Sequence, residues 1–376
     1  MSLVQIIPVK TRAEMKAFIN LPWKIYRGDP NFVPPLKSAM AKLLDPAIHP
    51  FWKFSERELF LARRDKEIVG RIAAIVDGNY NRHYGEKVGA WGFFEVENSL
   101  ETAAALFEAA ERWVRGKGMD FFRGPLNPSV NHEIGLLIEG FEQPPTLGFT
   151  YNPPYYLDLV NACGHSKDKD VFAYFFTKES KQPDWFYTLG EKMMKRGDLT
   201  IVPIDMKQFD SQVQLINRLY NECWADNWGA VPMTEEEILF VGHEMKPFAD
   251  PDLIFFIHHR GQPIGVGLAL PDFNRLLMRL NGWLKPWVLF RHFYIKSHVT
   301  GLRGYIMGIK KEFQQTGAPL LAYYYLMQVL ERKKIYEYME TGWQLEDNQA
   351  INNLMEEGGG RLSRRFRVYG KSLISG

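Results

Sequence analysis

The chain has 376 residues, of which 46% are hydrophobic and 24% charged, a composition typical of folded globular proteins and not of disordered or fibrous ones. Lysine and arginine total 46 against 44 acidic residues, so the net charge of +2 excludes a strong general attraction to nucleic acids. Two cysteines, Cys163 and Cys223, are too few for a disulfide framework or a four-cysteine zinc site. Since neither an apolar run of about 18 residues nor a secretory signal pattern occurs, we expect a cytoplasmic protein of two domains.

An internal repeat divides the chain. An apolar strand, a polar turn and a second strand occur at 59–70 and again at 254–265, and the closing glycines of the two patterns, Gly70 and Gly265, are 195 residues apart. Matches in the same order at a nearly constant offset indicate one supersecondary plan that is used twice. Two further pairs at this offset are Asp77 with Asp272 and Asn79 with Asn274.

The repeat predicts two domains, residues 1–178 and 184–376, with a polar linker at Thr177–Pro183. Hydrophobic periodicity predicts the elements of the second domain, and the first domain follows the same order with a helix over Leu100–Arg115. Strands of the second domain are expected at Leu199–Asp205, Leu253–His259, Ile264–Leu270, Gly304–Lys310, Ile335–Thr341 and Arg364–Lys371, and helices at Gln212–Cys223, Glu235–Met245, Pro319–Arg332 and Asn348–Glu357.

This order of elements, together with the segment from Met307 to Pro319, resembles the GCN5-related N-acetyltransferase (GNAT) superfamily, present here as a tandem pair. The resemblance implies the fold class α+β, with a mixed, mainly antiparallel sheet flanked by helices in each domain. In that family a loop after a central strand holds the pyrophosphate of an acyl-CoA with backbone N–H groups at a helix N-terminus. Pro319 lacks one such N–H group but is favourable in the first turn of a helix. The residues that match this acyl-CoA site are Gly308, Ile309, Gln314, Gln315, Thr316, Gly317 and Ala318.

A second matching segment, Trp343–Ala350, corresponds to the start of the family's last helix. The resemblance assigns a contact with the pantetheine arm to Asn348, although any helix can use an asparagine there as its N-cap. Many members carry a tyrosine in this helix that protonates the departing thiolate, whereas the corresponding stretch here, Asn353-Leu354-Met355, has no hydroxyl.

Acyl transfer from a thioester to an amine requires a group that removes a proton from the amine. Acidic residues near the exit of the strand beside the predicted loop are the candidates for this base, directly or through water, although each taken alone is more often a solvated surface carboxylate. The candidates are Glu337, Glu340, Glu346 and Asp347, with Glu346 first and Glu340 next, and Tyr369 or water would supply the thiolate with its proton.

The first domain departs from the family pattern where the phosphate loop would lie. No glycine opens the predicted helix there, and Glu95, Glu97 and Glu101 crowd its N-terminus. Carboxylates at that position stabilise a helix but repel a pyrophosphate. We therefore expect the first domain to be a degenerate copy that binds no coenzyme A.

A long stretch rich in proline, asparagine and tyrosine, residues 121–156, predicts an ordered loop. Such a loop either carries binding residues or braces the two domains, and both alternatives stay open. His132 and Glu133 do not form a metal site, because no second histidine lies at ligand spacing. The residues predicted to bind the amine acceptor are Asn127, Asn131, His132, Glu133 and Tyr155.

Residues 274–301 combine aromatic and apolar side chains with interleaved arginine and lysine. This pattern is typical of a segment that lies on a membrane surface or covers a long acyl chain. The alternative, which is the more common, is a helical arm packed on the partner domain or on the second subunit of a homodimer.

Two functional hypotheses follow. The first is an acyl-CoA-dependent N-acyltransferase that binds the coenzyme in its second domain and acylates a small-molecule or peptide amine. The second is a non-catalytic binding or scaffold protein that retains the tandem fold, since fold alone does not establish function. Binding of coenzyme A distinguishes the two.

Overall fold

The structure, a computed structural model, describes residues 3–180, 182–285, 288 and 298–374. The chain forms two compact units. The first draws its described residues from Met1–Val171, Asn274–Leu284 and Arg364–Gly376, and the second from Phe172–Phe273 and Lys285–Ser363.

These units differ from the two predicted sequence segments. The end of the second segment, from Arg364, lies in the first unit, and the end of the first segment, Phe172–Thr177, lies in the second. Residues 274–284 also belong to the first unit. No local periodicity encodes such an exchange, because the hydrophobic pattern of a strand does not say which neighbour it pairs with. The boundaries 1–178 and 184–376 stay a prediction about the sequence repeat.

The first unit is built on a mixed sheet. Its strands are β1 (Val4–Pro8), β2 (Ser55–Arg64), β3 (Glu67–Asp77), β4 (Val88–Val96), β5 (Phe121–Gly124), β6 (Leu126–Asn127), β7 (Glu133–Ile134), β8 (Leu136–Glu139), the first half of β9 (Ser166–Thr177) and most of β15 (Arg361–Ser372). Strands β1 to β4 pair antiparallel in sequence order, and β4 and β5 pair in parallel. The middle of β15 pairs antiparallel with β8, and its end pairs antiparallel with β5.

The long helix α5 covers this sheet. Its apolar face, which includes Leu106, Phe107 and Val114, packs into one core with Trp91 and Tyr369 from the strands. The helices of the unit are α1 (Arg12–Asn20), α2 (Pro22–Ile25), α3 (Lys37–Leu43), α4 (Gly78–Tyr84), α5 (Leu100–Gly116), α6 (Tyr156–Ala162) and α10 (Asn274–Leu280).

The second unit repeats the plan. Strands β10 to β13 pair antiparallel in order, β13 and β14 pair in parallel, and β14 is followed in the sheet by the second half of β9. Its other strands are β10 (Leu199–Pro203), β11 (Ile254–His259), β12 (Gln262–Pro271), β13 (Gly301–Ile309) and β14 (Tyr338–Leu345), and its helices are α7 (Asp184–Arg196), α8 (Phe209–Trp224), α9 (Glu235–Met245), α11 (Ala318–Lys333) and α12 (Gln349–Glu357).

The predicted elements of the second copy are all present, and the fold class is confirmed. Helix α9 has the predicted bounds, because Thr234 and Glu237 form a capping box that fixes its start. Helix α7 was not predicted; its residue Gly190 packs against the ring of Tyr324 on α11. No helix in the described part of the chain is both long and apolar enough to cross a membrane.

Candidate active site

The two parallel strands of the second unit run side by side over only part of their length. They pair from Gly301 opposite Tyr338 to Gly304 opposite Thr341. Beyond this point β13 continues to Ile309 and β14 to Leu345, with no further pairing between them among the described residues. Strands that separate in this way leave backbone N–H and C=O groups that an extended ligand can use. We call this opening the β13–β14 gap.

A β-bulge lies at the level where the gap opens. The register between β12 and β13 shifts so that Leu268 faces Ile306 and Ala269 faces Gly304, which leaves Tyr305 as the extra residue. A bulge bends its strand and re-aims the groups on it. The bend therefore occurs at the last rung before β13 and β14 separate.

The loop between β13 and α11 is stabilised by its own side chains. The amide of Gln314 donates to the carbonyl oxygen of Ile309 at 3.0 Å. The hydroxyl of Thr316 donates to the carbonyl oxygen of Phe313 at 2.6 Å and accepts the N–H of Ala318 at 3.2 Å. Gln314, Gln315 and Thr316 are exposed, so an anion can reach this loop from solvent. Gln314 and Thr316 thus shape the predicted phosphate loop.

Gly317 is the N-cap of α11, and the surroundings of its Cα explain why a glycine is needed there. A Cβ at this position would lie 1.4 Å from the terminal methyl carbon of Met193 on α7. Any side chain at residue 317 must displace Met193 from the start of α11. The cradle is therefore formed by two helices, one of which the sequence patterns did not reveal.

The N–H of Lys310, directly after β13, is used within the sheet. It donates to the carbonyl oxygen of Ile264 at 2.9 Å, while Ile309 and Gly308 lie opposite Gly265 and Val266 of β12. Gly308 also packs closely against the indole of Trp224 on α8. Contacts of Gly308 and Ile309 with a coenzyme stay a prediction.

Asn348 opens α12 as an N-cap. Its side-chain oxygen accepts the N–H of Ile351 at 3.3 Å, which satisfies one of the unpaired donors at the helix start. This is the structural role that the sequence left open, and its pantetheine contact stays a prediction.

Two buried amide side chains near the end of β14 were missed. Asn352 on α12 is 5% exposed and donates to the carbonyl oxygen of Leu345 at 3.0 Å, while its own oxygen accepts no hydrogen bond from the described groups. The side-chain oxygen of Gln344 is in the same state. A buried acceptor without a donor costs about 1–3 kcal/mol, so both oxygens suit a donor that comes from a ligand. A polar residue on the buried face of an amphipathic helix was the available signal.

Glu340 lies in a buried charged cluster. It faces Arg303 across β13 and β14 and accepts the hydroxyl of Ser363 at 2.6 Å. The guanidinium of Arg303 stacks over the rings of Tyr305 and Trp343, with its carbon 4.9 Å and 5.7 Å from the ring centroids. Burial lowers the pKa of Arg303 to about 10, against the influence of Tyr305, Glu340 and Asp272. These surroundings indicate that Glu340 balances the positive charge of Arg303.

The other predicted catalytic residues lie elsewhere. Glu346 directly follows the free end of β14 and is partly exposed, as a base that works on a diffusing amine needs to be. Tyr369 belongs to the core of the first unit, pairs with Gly124 of β5 and is buried. Burial raises the pKa of its phenol. The structure therefore does not place Tyr369 in the unit that holds Glu340 and Glu346.

The corresponding gap of the first unit is filled. β4 and β5 pair only from Val88 to Ala90, and the short strand β6 then lies against β4. A Cβ on Gly92 would lie 1.9 Å from the carbonyl oxygen of Leu126. The side-chain oxygen of Asn127 accepts the N–H of Phe93 at 2.6 Å, at the bulge of β4 where Phe93 has a φ of 49°. Asn127 thus closes the strand edge that the second unit leaves open.

Most of the predicted acceptor residues of the long loop lie near Asn127 at the edge of β4. The amide of Asn127 approaches the carboxyl of Glu133 at 3.4 Å, and burial raises the pKa of Glu133 to about 7. The ring of His132 shares a hydrogen bond of 2.8 Å with the hydroxyl of Ser129, and burial lowers its pKa to about 3. The backbone N–H of Asn131 also donates to Ser129. These contacts brace the loop, and acceptor binding by Asn127, Asn131, His132 and Glu133 stays a prediction.

The acidic cluster that marked the first domain is neutralised internally. Glu95 lies 3.5 Å from Arg71 and accepts the hydroxyl of Tyr156 at 2.8 Å, while Glu97 pairs with Arg64. Burial raises the pKa of Glu95. Tyr155, the remaining acceptor candidate, donates to the carbonyl oxygen of Val96 at 2.7 Å. These contacts hold Glu95, Glu97 and Tyr155 within the first unit, whereas Gln314, Gln315 and Thr316 before α11 are exposed. Among the described residues, no group of acidic, histidine and cysteine side chains is arranged to hold a metal ion.

Comparison with known proteins gives the family. A bacterial ceramide synthase from Caulobacter vibrioides is 33% identical over 380 residues, which cover 98% of both chains. The chain belongs to the family of this enzyme. Protein YghO from Escherichia coli, 30% identical over 372 residues with 96% of this chain and 93% of that protein covered, is a second relative within it. No model of a known protein family matches the chain.

Solved structures show the fold of this family member. A tandem GNAT protein from the clavulanic acid biosynthesis pathway superposes over 99% of both chains with a TM-score of 0.58 at 11% identity. A GCN5-related N-acetyltransferase from Sphaerobacter thermophilus covers 99% of this chain and 96% of its own with a TM-score of 0.54 at 11% identity. The predicted tandem GNAT architecture is confirmed, and it is an acyltransferase fold.

Proposed function

We propose that the protein is an acyl-CoA-dependent N-acyltransferase whose second unit binds the coenzyme. The observation that carries the proposal is a difference between the two units at the point where their parallel strands separate. The β13–β14 gap is open and followed by an exposed loop that ends at Gly317, whereas the gap of the first unit is closed by Asn127.

The residues of the second unit fit such a ligand. Gly317 is the N-cap of α11, where the helix dipole and N–H groups favour a pyrophosphate. Of the predicted loop residues, Gln314 and Thr316 would keep the cradle in shape.

In the proposed reaction, the amine nitrogen forms a bond to the acyl carbon and the carbon–sulfur bond breaks. Glu346 takes the proton that the amine loses, because it is the partly exposed carboxylate at the open end of β14. The thiolate takes a proton from water, since Leu354 and Met355 replace the hydroxyl of the related enzymes. Holding the two reactants in register supplies the remaining rate enhancement.

We further propose that the acceptor is a long-chain amino alcohol and that the donor carries a long acyl chain. The support is the relative from Caulobacter vibrioides, a bacterial ceramide synthase, since ceramide synthesis joins a fatty acyl group to an amine of this class. The aromatic side chains, 14% of the sequence, agree with apolar substrates.

The test is an acylation assay with the purified full chain, an acyl-CoA series of increasing length and either a long-chain amino alcohol or a short water-soluble amine. We expect N-acyl product, identified by mass spectrometry, together with one free thiol per product. Thiol release without amide would contradict the proposal. Coenzyme binding without product from either amine would favour the non-catalytic binding protein.

A further inference from the structure

The arm that follows β12 presents two apolar side chains to solvent. Trp283 is 61% exposed and its neighbour Leu284 is 50% exposed, both in the first unit. Apolar side chains in contact with water are unfavourable, so an exposed tryptophan next to an exposed leucine is stabilised when a partner covers the pair.

The arm is fixed in place and is not a loose loop. The side chain of Asn274 donates to the carbonyl oxygen of Pro145 at 2.7 Å, and the indole N–H of Trp23 donates to the side chain of Asn281 at 2.7 Å. The backbone N–H of Lys37 donates to Gly282 at 3.0 Å. The first unit therefore holds Trp283 and Leu284 at a defined position.

Lysine and arginine side chains lie beside this apolar pair and on the helix that precedes it. The ammonium of Lys37 lies 4.2 Å from the ring centroid of Trp23 and 4.9 Å from that of Trp283. Burial, and then the charge of the nearby exposed Lys16, lower the pKa of Lys37. Helix α10 adds the exposed Arg275 and Arg279.

The sequence of the arm carries no opposing charge. Between Asp272 and Glu312 the chain has no acidic residue, although acids and bases are nearly balanced in the whole protein. Aromatic side chains at the water interface, with lysine and arginine around them, are the composition that binds anionic lipid headgroups. A protein partner would require acidic side chains to match the same surface.

We propose that Trp283 and Leu284, with Lys37 beside Trp283, Lys16 near Lys37, and Arg275 and Arg279 on the preceding helix, dock the protein on an anionic bilayer surface. The proposal does not depend on the proposed enzymatic activity. If both are correct, docking brings the protein to where water-insoluble acyl chains and amines are stored.

The test is sedimentation of the full chain with phosphatidylcholine vesicles, with and without phosphatidylglycerol. We expect binding only to the anionic vesicles and a decrease with salt. Replacing both apolar residues (Trp283→Ala with Leu284→Ala) should weaken binding about tenfold or more, and Arg275→Gln with Arg279→Gln should weaken it by a similar factor.

The matched control lies on α7, where Trp185 is 54% and Leu189 42% exposed beside the acids Asp184 and Glu191. Trp185→Ala with Leu189→Ala should leave vesicle binding unchanged, and equal weakening by this pair would overturn the assignment. An absence of binding by the unmodified protein would also overturn it, as would a self-association that the change at Trp283 removes. Unchanged thermal unfolding and unchanged acylation of a short water-soluble amine separate docking from folding and from catalysis.

Discussion

The two units carry the same strand order and differ in what happens where their parallel strands separate. In the first unit, β6 enters the gap and the side chain of Asn127 takes up the N–H of Phe93. In the second unit the pairing of β13 with β14 ends at Gly304 and Thr341, and the loop before α11 is exposed. The two copies of the fold therefore keep the same strand order and differ at one strand edge, where Leu126 and Asn127 lie against β4 in the first unit.

The largest effect is expected for Glu346→Gln. If Glu346 is the base at the open end of β14, the acylation rate should fall by about a hundredfold, since a general base typically contributes 10²–10⁴. Urea unfolding should stay unchanged because the side chain is partly exposed. The exposed Glu357, changed to glutamine in the same unit, is the matched control, and equal rates for the two variants would exclude Glu346 as the base.

Glu340→Gln should act on stability. Removing this carboxylate takes away one of the negative groups that stabilise the buried guanidinium of Arg303, and losing one partner of a buried charged pair costs about 3 kcal/mol. The free energy of unfolding in urea is the readout. A stable variant that has lost only its acylation rate would instead make Glu340 the base.

Asn127→Ala tests the hydrogen bond by which Asn127 closes the strand edge of the first unit. The N–H of Phe93 would lose its acceptor, and the free energy of unfolding should fall by about 1–3 kcal/mol. Affinity for coenzyme A should not change, as the proposed site lies in the other unit. An improved affinity would show that the gap between β4 and β5 is a coenzyme site closed by Asn127. It would contradict the claim that only the second unit binds the coenzyme.

Glu133→Gln should change how stability depends on pH. Burial raises the pKa of Glu133 from 4.5 to about 7, so between these values the folded protein keeps a proton that the unfolded chain releases. Stability from this group therefore falls as the pH rises through that window. The glutamine variant should be more stable than the unmodified protein by about 3 kcal/mol at pH 8 and equal to it at pH 4. A variant that is less stable at both pH values would contradict the assigned shift.

Local patterns predict most of the second unit. Capping residues, turns and periodicity locate α9, the hairpin of β11 and β12, and α11 within a few residues of their bounds. The exchange of β9 and β15 ends between the units was not predictable in this way, because strand pairing is a long-range choice.

For the candidate site too, local sequence patterns are informative and long-range packing is not predictable from them. A short motif predicts the loop that ends at Gly317, since the motif itself describes a backbone shape, and its role in coenzyme binding stays a prediction. The sequence could not single out Met193, Gln344 and Asn352, because their surroundings depend on packing and on buried hydrogen bonds. Nor could it show that the strand of Tyr369 belongs to the first unit.

The most direct test of the central claim is a calorimetric titration of the protein and two loop variants with coenzyme A. Gly317→Asp places a carboxylate against the proposed pyrophosphate, and Asn98→Asp adds the same charge at the start of α5 in the first unit. We expect the unmodified protein and Asn98→Asp to bind with a dissociation constant of about 1–100 μM, and Gly317→Asp to show no heat up to about 1 mM. Loss of binding in Asn98→Asp, with binding retained in a folded Gly317→Asp, would place the coenzyme in the first unit and contradict the account.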